Sequence, residues 1–267
     1  MKTRSGVDSS NPGEKESHTQ KMSLMDRLRN GPTYRVVLFW VVLVLSMGTY
    51  QRNSIWESDL GLWKDCVKKA PRKERTHHNL GFAYYELEQW DDAKREFEEA
   101  LRLNPRYALS MYNLGLVYYK RGLMEEAIDC YKKAIDLDPA FPESFYNLGI
   151  AYYQKGAYEE AIHAYRTFLG LKPDYEGGHS SLGLAFKALK QWDDAIQSFK
   201  EELTYHPDSF YAHLYLGDTY KELKDYPEAL ATYKKALACP SVPDPEELAR
   251  MISSMENSRA TKKERKK

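Results

Sequence analysis

Five glycines stand 34 residues apart: Gly81, Gly115, Gly149, Gly183 and Gly217. Around them the chain reads HHNLGFAYY, MYNLGLVYY, FYNLGIAYY, SSLGLAFK and LYLGDTYK. Twelve residues after each comes an alanine (Ala93, Ala127, Ala161, Ala195, Ala229), and four further on an aromatic ring (Phe97, Tyr131, Tyr165, Phe199, Tyr233). Pro105, Pro139, Pro173 and Pro207 close the first four copies, and in the fifth the proline has moved to Pro240. A fixed period of this length constrains the fold more tightly than composition does. Each unit is one supersecondary element that cannot bury its apolar face alone, so neighbours must stack.

Within one unit the spacing predicts helices. In the second copy Met111, Leu114 and Tyr118 recur at intervals of three and four, the stripe of an amphipathic helix. Gly115 carries no side chain, so a neighbouring helix can approach its backbone. Ala127 and Ala134 fall on one face and leave room for the bulky Tyr118 and Tyr131. Pro139 cannot continue a helix interior and sits where the next unit begins. The order of these marks (leucine-glycine, tyrosine, alanine, aromatic, proline) resembles the tetratricopeptide repeat family, from residue 74 to about 241 without an insertion. The resemblance implies an all-α fold. Five helix-turn-helix repeats at 74–107, 108–141, 142–175, 176–209 and 210–243 would stack into a right-handed superhelix with a concave groove.

Both ends of such an array need covering. Stepping back one period places Pro71 in the proline slot, Trp63 in an aromatic slot and Cys66 in the small slot of Ala100. Residues 54–73 therefore read as a half repeat ending in its second helix. At the other end Leu248, Met251, Ile252 and Met255 share one face, which predicts a capping helix over 244–258 followed by a basic, solvated tail at 259–267.

The run VVLFWVVLVLSMGTY at 36–50 has no polar face, unlike every repeat helix. Its 15 residues rise about 22 Å as a helix, and starting at Thr33 with Arg35 snorkelling brings this to about 27 Å, near the roughly 30 Å of a bilayer core. The alternatives are a cleaved signal and a buried first helix. Thirty-five residues precede the run and no small-residue cleavage pattern follows it. The expectation is an uncleaved transmembrane helix at 33–51 behind a disordered N-terminus at 1–31. Lys21, Arg27, Arg29 and Arg35 precede the apolar run, and only Arg52 and Lys64 follow it closely. This bias predicts a cytoplasmic N-terminus and repeats in the periplasm or lumen. The stretch TYQRNSIWESDLGLW is similar to the junction after the last span of repeat-bearing membrane O-glycosyltransferases of the O-mannosyl type. That similarity implies an accessory or degenerate subunit of such a system, since the catalytic multi-span part is missing. A third reading is a homo-oligomeric assembly factor.

Lys plus Arg and Asp plus Glu both number 39, so no global field points to nucleic acid. Three cysteines without CxxC or CxxH spacing suggest neither a zinc site nor a disulfide framework. The acidic pairs Asp91-Asp92, Glu125-Glu126, Glu159-Glu160 and Asp193-Asp194 recur at one repeat position, the start of each second helix, where they complement the helix dipole. His77, His179 and His213 also share one position, in different repeats. No nucleophile, metal-ligand or phosphate-loop motif is present, so the expectation is a chain with no catalytic residues, no metal and no cofactor, working on a protein partner.

The resemblance implies that the first helix of each unit lines the groove. Two residues before the glycine stand Asn79, Asn113 and Asn147, then Ser181 and Tyr215. Asparagine carries both donor and acceptor and can grip a peptide backbone without reading its side chains. It can equally make a bond within its helix or to the next repeat, and the sequence leaves both open. Around the asparagines lie Tyr112 and Tyr146, Tyr85, Tyr119 and Tyr153, with Phe82, Leu116 and Ile150: large apolar area with hydroxyls. Where chaperone-binding relatives hold a Lys and an Asn for a terminal carboxylate, His78 and Phe82 stand. The groove of repeats one to three is therefore expected to take an extended, partly apolar segment or a helix of a partner.

Overall fold

The computed structural model describes residues 59–240 and 242–264, the side chains of 258–264 excepted. The chain divides into Met1–Leu62 and Trp63–Lys267. Of the first part only the opening turn of α1 is described. The expected N-terminus, the span at 33–51 and the start of the half repeat lie outside the described residues. Among the described residues no helix is long and apolar enough to cross a membrane.

Twelve helices and no strands make up the described residues. Helix α1 spans Asp59–Lys69. Five pairs follow: α2 (Glu74–Glu86) with α3 (Trp90–Leu103), α4 (Ala108–Lys120) with α5 (Met124–Leu137), α6 (Pro142–Lys155) with α7 (Tyr158–Leu171), α8 (Gly178–Ala188) with α9 (Trp192–Tyr205), and α10 (Phe210–Glu222) with α11 (Tyr226–Leu237). Each pair packs internally, and each second helix packs on the first helix of the next unit.

The repeated residues explain the pairing. The five marker alanines are fully buried, and the five marker aromatics are buried beside them. Each aromatic lies flat against its own unit's glycine. A Cβ on Gly115 would stand 2.7 Å from the Tyr131 ring, and one on Gly149 would stand 2.6 Å from Tyr165. The glycine therefore sets how closely two helices of a unit approach. Between them the chain turns through a residue of positive φ at one fixed place: Glu88, Gly122, Gly156, Lys190 and Lys224. The next residue's N–H returns to a carbonyl five back, as from Leu123 to Tyr118 and from Ala157 to Tyr152.

A row of cations ties neighbouring units on the outer side. Lys64 lies over Tyr84, Lys94 over Tyr118, Lys132 over Tyr152 and Arg166 over Phe186, at 5.2–5.6 Å from the ring centroids. Such contacts stabilise by about 0.5–1 kcal/mol each at exposed sites.

Two departures from the predicted lattice have local causes. The first helix of repeat four begins at Gly178 and not at 176, because Gly177 takes φ 82°. Glu202 occupies the slot of Ala100, Ala134 and Ala236 with no exposed surface, and its carboxylate accepts from the N–H groups of Gly177 (2.8 Å) and Ser180 (3.1 Å). Two backbone donors thus satisfy a buried carboxyl group while fixing the late start. At the C-terminus α12 runs from Pro245 to Glu264, beyond the expected limit of 258 and into the segment read as a tail. Asp244 Oδ1 accepts from Glu247 N at 2.9 Å, and Leu248 and Ile252 are buried against α11. Helix α1 buries no residue fully.

Candidate functional site: the inner face of the first helices

First helices of successive units touch one another (α2 with α4, α6 with α8, α8 with α10), so their free sides join into one face. The groove residues named from sequence all lie on α2, α4 and α6, as the common spacing from each glycine requires.

Hydrogen bonding divides these residues. Asn147 donates through Nδ2 to the Tyr112 hydroxyl (2.9 Å) and to the Glu143 carbonyl (3.0 Å). One repeat on, the Tyr146 hydroxyl meets Ser181 Oγ at 3.3 Å, and Ser181 also donates to the Gly177 carbonyl. The structural reading left open for the asparagine position therefore holds for Asn147. Asn79 and Asn113 differ: neither side chain makes a hydrogen bond among the described residues. Asn113 is only 5 % exposed, yet its amide is not among the sealed, unpartnered groups. A polar amide left without a protein partner in so enclosed a place is poised for an external one.

The tyrosines divide in the same way. Tyr112 packs edge-on to Phe141, and Tyr146 packs on Phe168 and Tyr175, so each ring packs within its own repeat while its hydroxyl bonds the next. Tyr119 accepts from Gln154 Nε2. Tyr85 lies stacked with Phe82 and edge-on to Trp90, and Tyr153 edge-on to Tyr158. Phe82 keeps 45 % of its surface exposed, and Leu116 and Ile150 are half-buried. Burial raises the pKa of Tyr85, Tyr112, Tyr119, Tyr146 and Tyr153, so all five hydroxyls stay neutral over any ordinary pH. In repeat one His78 takes the place of Tyr112 and Tyr146. Its Nδ1 lies 2.9 Å from Ser110 Oγ, and burial, with Arg75 adding repulsion, lowers its pKa to about 4.

Several features show in the sequence only as repeated positions, without the partners that give them a role. A second aromatic group stands on the same face in repeat five, where Tyr211, 54 % exposed, stacks on Tyr215 at 6.0 Å. Its place could have been read from the glycine spacing, but no asparagine marks it. His77, His179 and His213 each point Nε2 at a proline carbonyl six residues back (Pro71, Pro173, Pro207; 3.0–3.1 Å), and since a carbonyl only accepts, Nε2 carries the proton. The histidines thus pin the turn between units. Among the acidic pairs, Asp91 meets Arg121 and Glu125 meets Lys155, one unit onward in each case. Two outer clefts of about 350 and 320 Å³ repeat in the same lattice, lined by Lys132, Phe145 and Tyr152 and by Arg166, His179 and Phe186 respectively. Among the described residues no His, Cys, Asp or Glu cluster could hold a metal.

Comparison with known proteins agrees with the repeat fold. A family model described as TPR repeat matches residues 81–122, 117–156 and 151–190, and one described as tetratricopeptide repeat matches 181–243. No curated protein matches the chain. Among solved structures, MamA is 27 % identical, with 60 % of this chain and 93 % of that one covered and a TM-score of 0.58. YrrB, described as a TPR protein with an unusual peptide-binding site, is 20 % identical, with 72 % and 97 % covered and a TM-score of 0.62. MamA from Desulfovibrio magneticus RS-1 is 18 % identical, with 62 % and 94 % covered and a TM-score of 0.59. The last two show the fold alone. The family models begin at residue 81, so the junction at 50–64 gains no support from them.

Proposed function

We propose that this chain, which is a tetratricopeptide repeat protein over residues 81–243 and so a protein-interaction scaffold, grips an extended and largely uncharged partner segment on the inner face of repeats one and two. The observation that carries this reading is the pair Asn79 and Asn113. Both sit at the backbone-gripping position without a protein hydrogen bond, whereas Asn147 and Ser181 are tied to the preceding tyrosines. Exposed Phe82 and half-buried Leu116 lie beside them to receive apolar side chains. Repeat three contributes area through Ile150 and Tyr153 more than hydrogen bonds.

The reading includes a membrane anchor at 33–51, supported by the apolar run alone, with the repeats on the side opposite the N-terminus. A reporter fused after Lys267 tests that topology: signal on the cytoplasmic side rejects it. The groove is tested by crosslinking and capture with full-length protein. Partners held by the native chain should be lost by Asn113→Ala and weakened by Tyr119→Ala and Tyr153→Ala. Capture unchanged in all three variants would sink the groove reading.

A further inference from the structure

The turns that join one unit to the next lie side by side on one edge of the array: Lys172 meets Glu143 at 2.6 Å, and His206 donates to the Asp174 carbonyl at 3.0 Å, each pair bridging consecutive turns. Charge is sorted along this edge. At its N-terminal end the sequence KKAPRKER presents Lys68, Arg72, Lys73 and Arg75, all exposed, and the next turn adds Arg106. None of these five makes an ion pair among the described residues. Toward the C-terminal end the corresponding turns present Asp138, Asp174, Glu176, Asp208 and Asp244, also exposed and without an ion pair. Among the described residues the basic groups against those later turns are held by neighbours: Lys172 by Glu143, His206 by the Asp174 carbonyl, and His179 and His213 by the Pro173 and Pro207 carbonyls.

We propose that the basic end of this edge docks on the acidic end of a second copy of the chain, so that the protein associates head to tail. Five unpaired cations facing five unpaired carboxylates make the two ends complementary, and one copy cannot close the contact on itself along a single edge. The balanced total of 39 basic and 39 acidic residues removes the net repulsion that would oppose association. The contact is heterologous, each copy using one end as donor and the other as acceptor, so growth continues beyond a dimer unless the rotation closes a ring. Exposed charges carry it, which makes it weak for each pair and sensitive to salt. It uses none of the inner-face residues, so it stands or falls separately from the groove.

Light scattering on full-length protein in a nonionic detergent tests it through the mass of the protein component. That mass should exceed the 31.1 kDa of one chain at low salt and fall toward it as salt is raised. The triple variants Arg72→Glu/Lys73→Glu/Arg75→Glu and Asp138→Lys/Asp174→Lys/Asp208→Lys should each stay monomeric. An equimolar mixture of the two should associate again, because each reversed end meets its reversed complement. Melting curves confirm that both variants are folded, and Asn113→Ala should leave the mass unchanged. A monomer at every salt concentration overturns the proposal, as does a mixture that stays monomeric or association that survives both reversals. Capture of an acidic protein of another kind by a chain that is itself monomeric also overturns it.

Discussion

Repeats one and two share a backbone with repeats three and four, yet their inner faces are wired differently. In the later pair the residue two before the glycine, Asn147 or Ser181, is bound to a tyrosine of the preceding unit. In the earlier pair Asn79 and Asn113 have no such tyrosine. His78 stands where it would be in repeat one, and it turns instead to Ser110. The difference teaches that one marker position does two jobs. Where the preceding unit supplies a hydroxyl, the asparagine closes the seam between units. Where it supplies histidine, the next asparagine is left without a protein partner for its side chain.

The largest expected effect comes from that histidine. His78 is held neutral in the folded chain down to about pH 4, whereas an unfolded histidine takes a proton near 6.5. As pH falls below 6.5 the unfolded state binds the proton first. Stability is therefore full above 6.5 and is lost down to about pH 4, by up to roughly 3 kcal/mol. His78→Gln should remove most of this slope in urea titrations across pH, and an unchanged slope would separate His78 from the seam. Next in size is Gly149→Ala, which presses a methyl group into the Tyr165 ring. Overpacking of this kind costs about 1–3 kcal/mol, offset in part by alanine's helix preference of about 1 kcal/mol. Gly115→Ala should behave alike. Equal melting shifts would show that the two regions differ in wiring and not in scaffold.

Asn147→Ala should lower stability by about 1 kcal/mol, the usual net value of a hydrogen bond. In a double-mutant cycle with Tyr112→Phe it should show coupling, whereas Asn113→Ala paired with Tyr112→Phe should show none. The smallest effects belong to the turns. Glu88→Gly and Lys190→Gly relieve positive φ at residues with side chains and should each raise stability by about 0.5–1 kcal/mol. Gly122→Ala should lower it by a similar amount.

The period of 34 residues made the fold legible, because glycine, alanine and aromatic at fixed offsets dictate how two helices nest and how units stack. The late start of α8 was not legible. It depends on Glu202, which stands in an alanine slot, reaching two backbone N–H groups about a helix pair earlier in the chain. The inner face was legible as a list and not as a division. Asn79, Asn113 and Asn147 are identical letters, and the bonds from Asn147 to the Tyr112 hydroxyl and the Glu143 carbonyl tell them apart. The cation–ring row escaped because Lys94 sits one helical turn away from the lattice position of Lys132 and Arg166.

The central claim, that the inner face of repeats one and two is the gripping surface, is tested most directly with peptides selected from a random library on full-length protein. Their affinities would be measured for the native chain, Asn113→Ala and Asn147→Ala, all at one salt concentration. A backbone-gripping Asn113 predicts at least a tenfold loss for Asn113→Ala, about 1.4 kcal/mol, and a change of less than about twofold for Asn147→Ala, or about 0.4 kcal/mol. Equal losses in both variants, or a loss confined to Asn147→Ala, would contradict it.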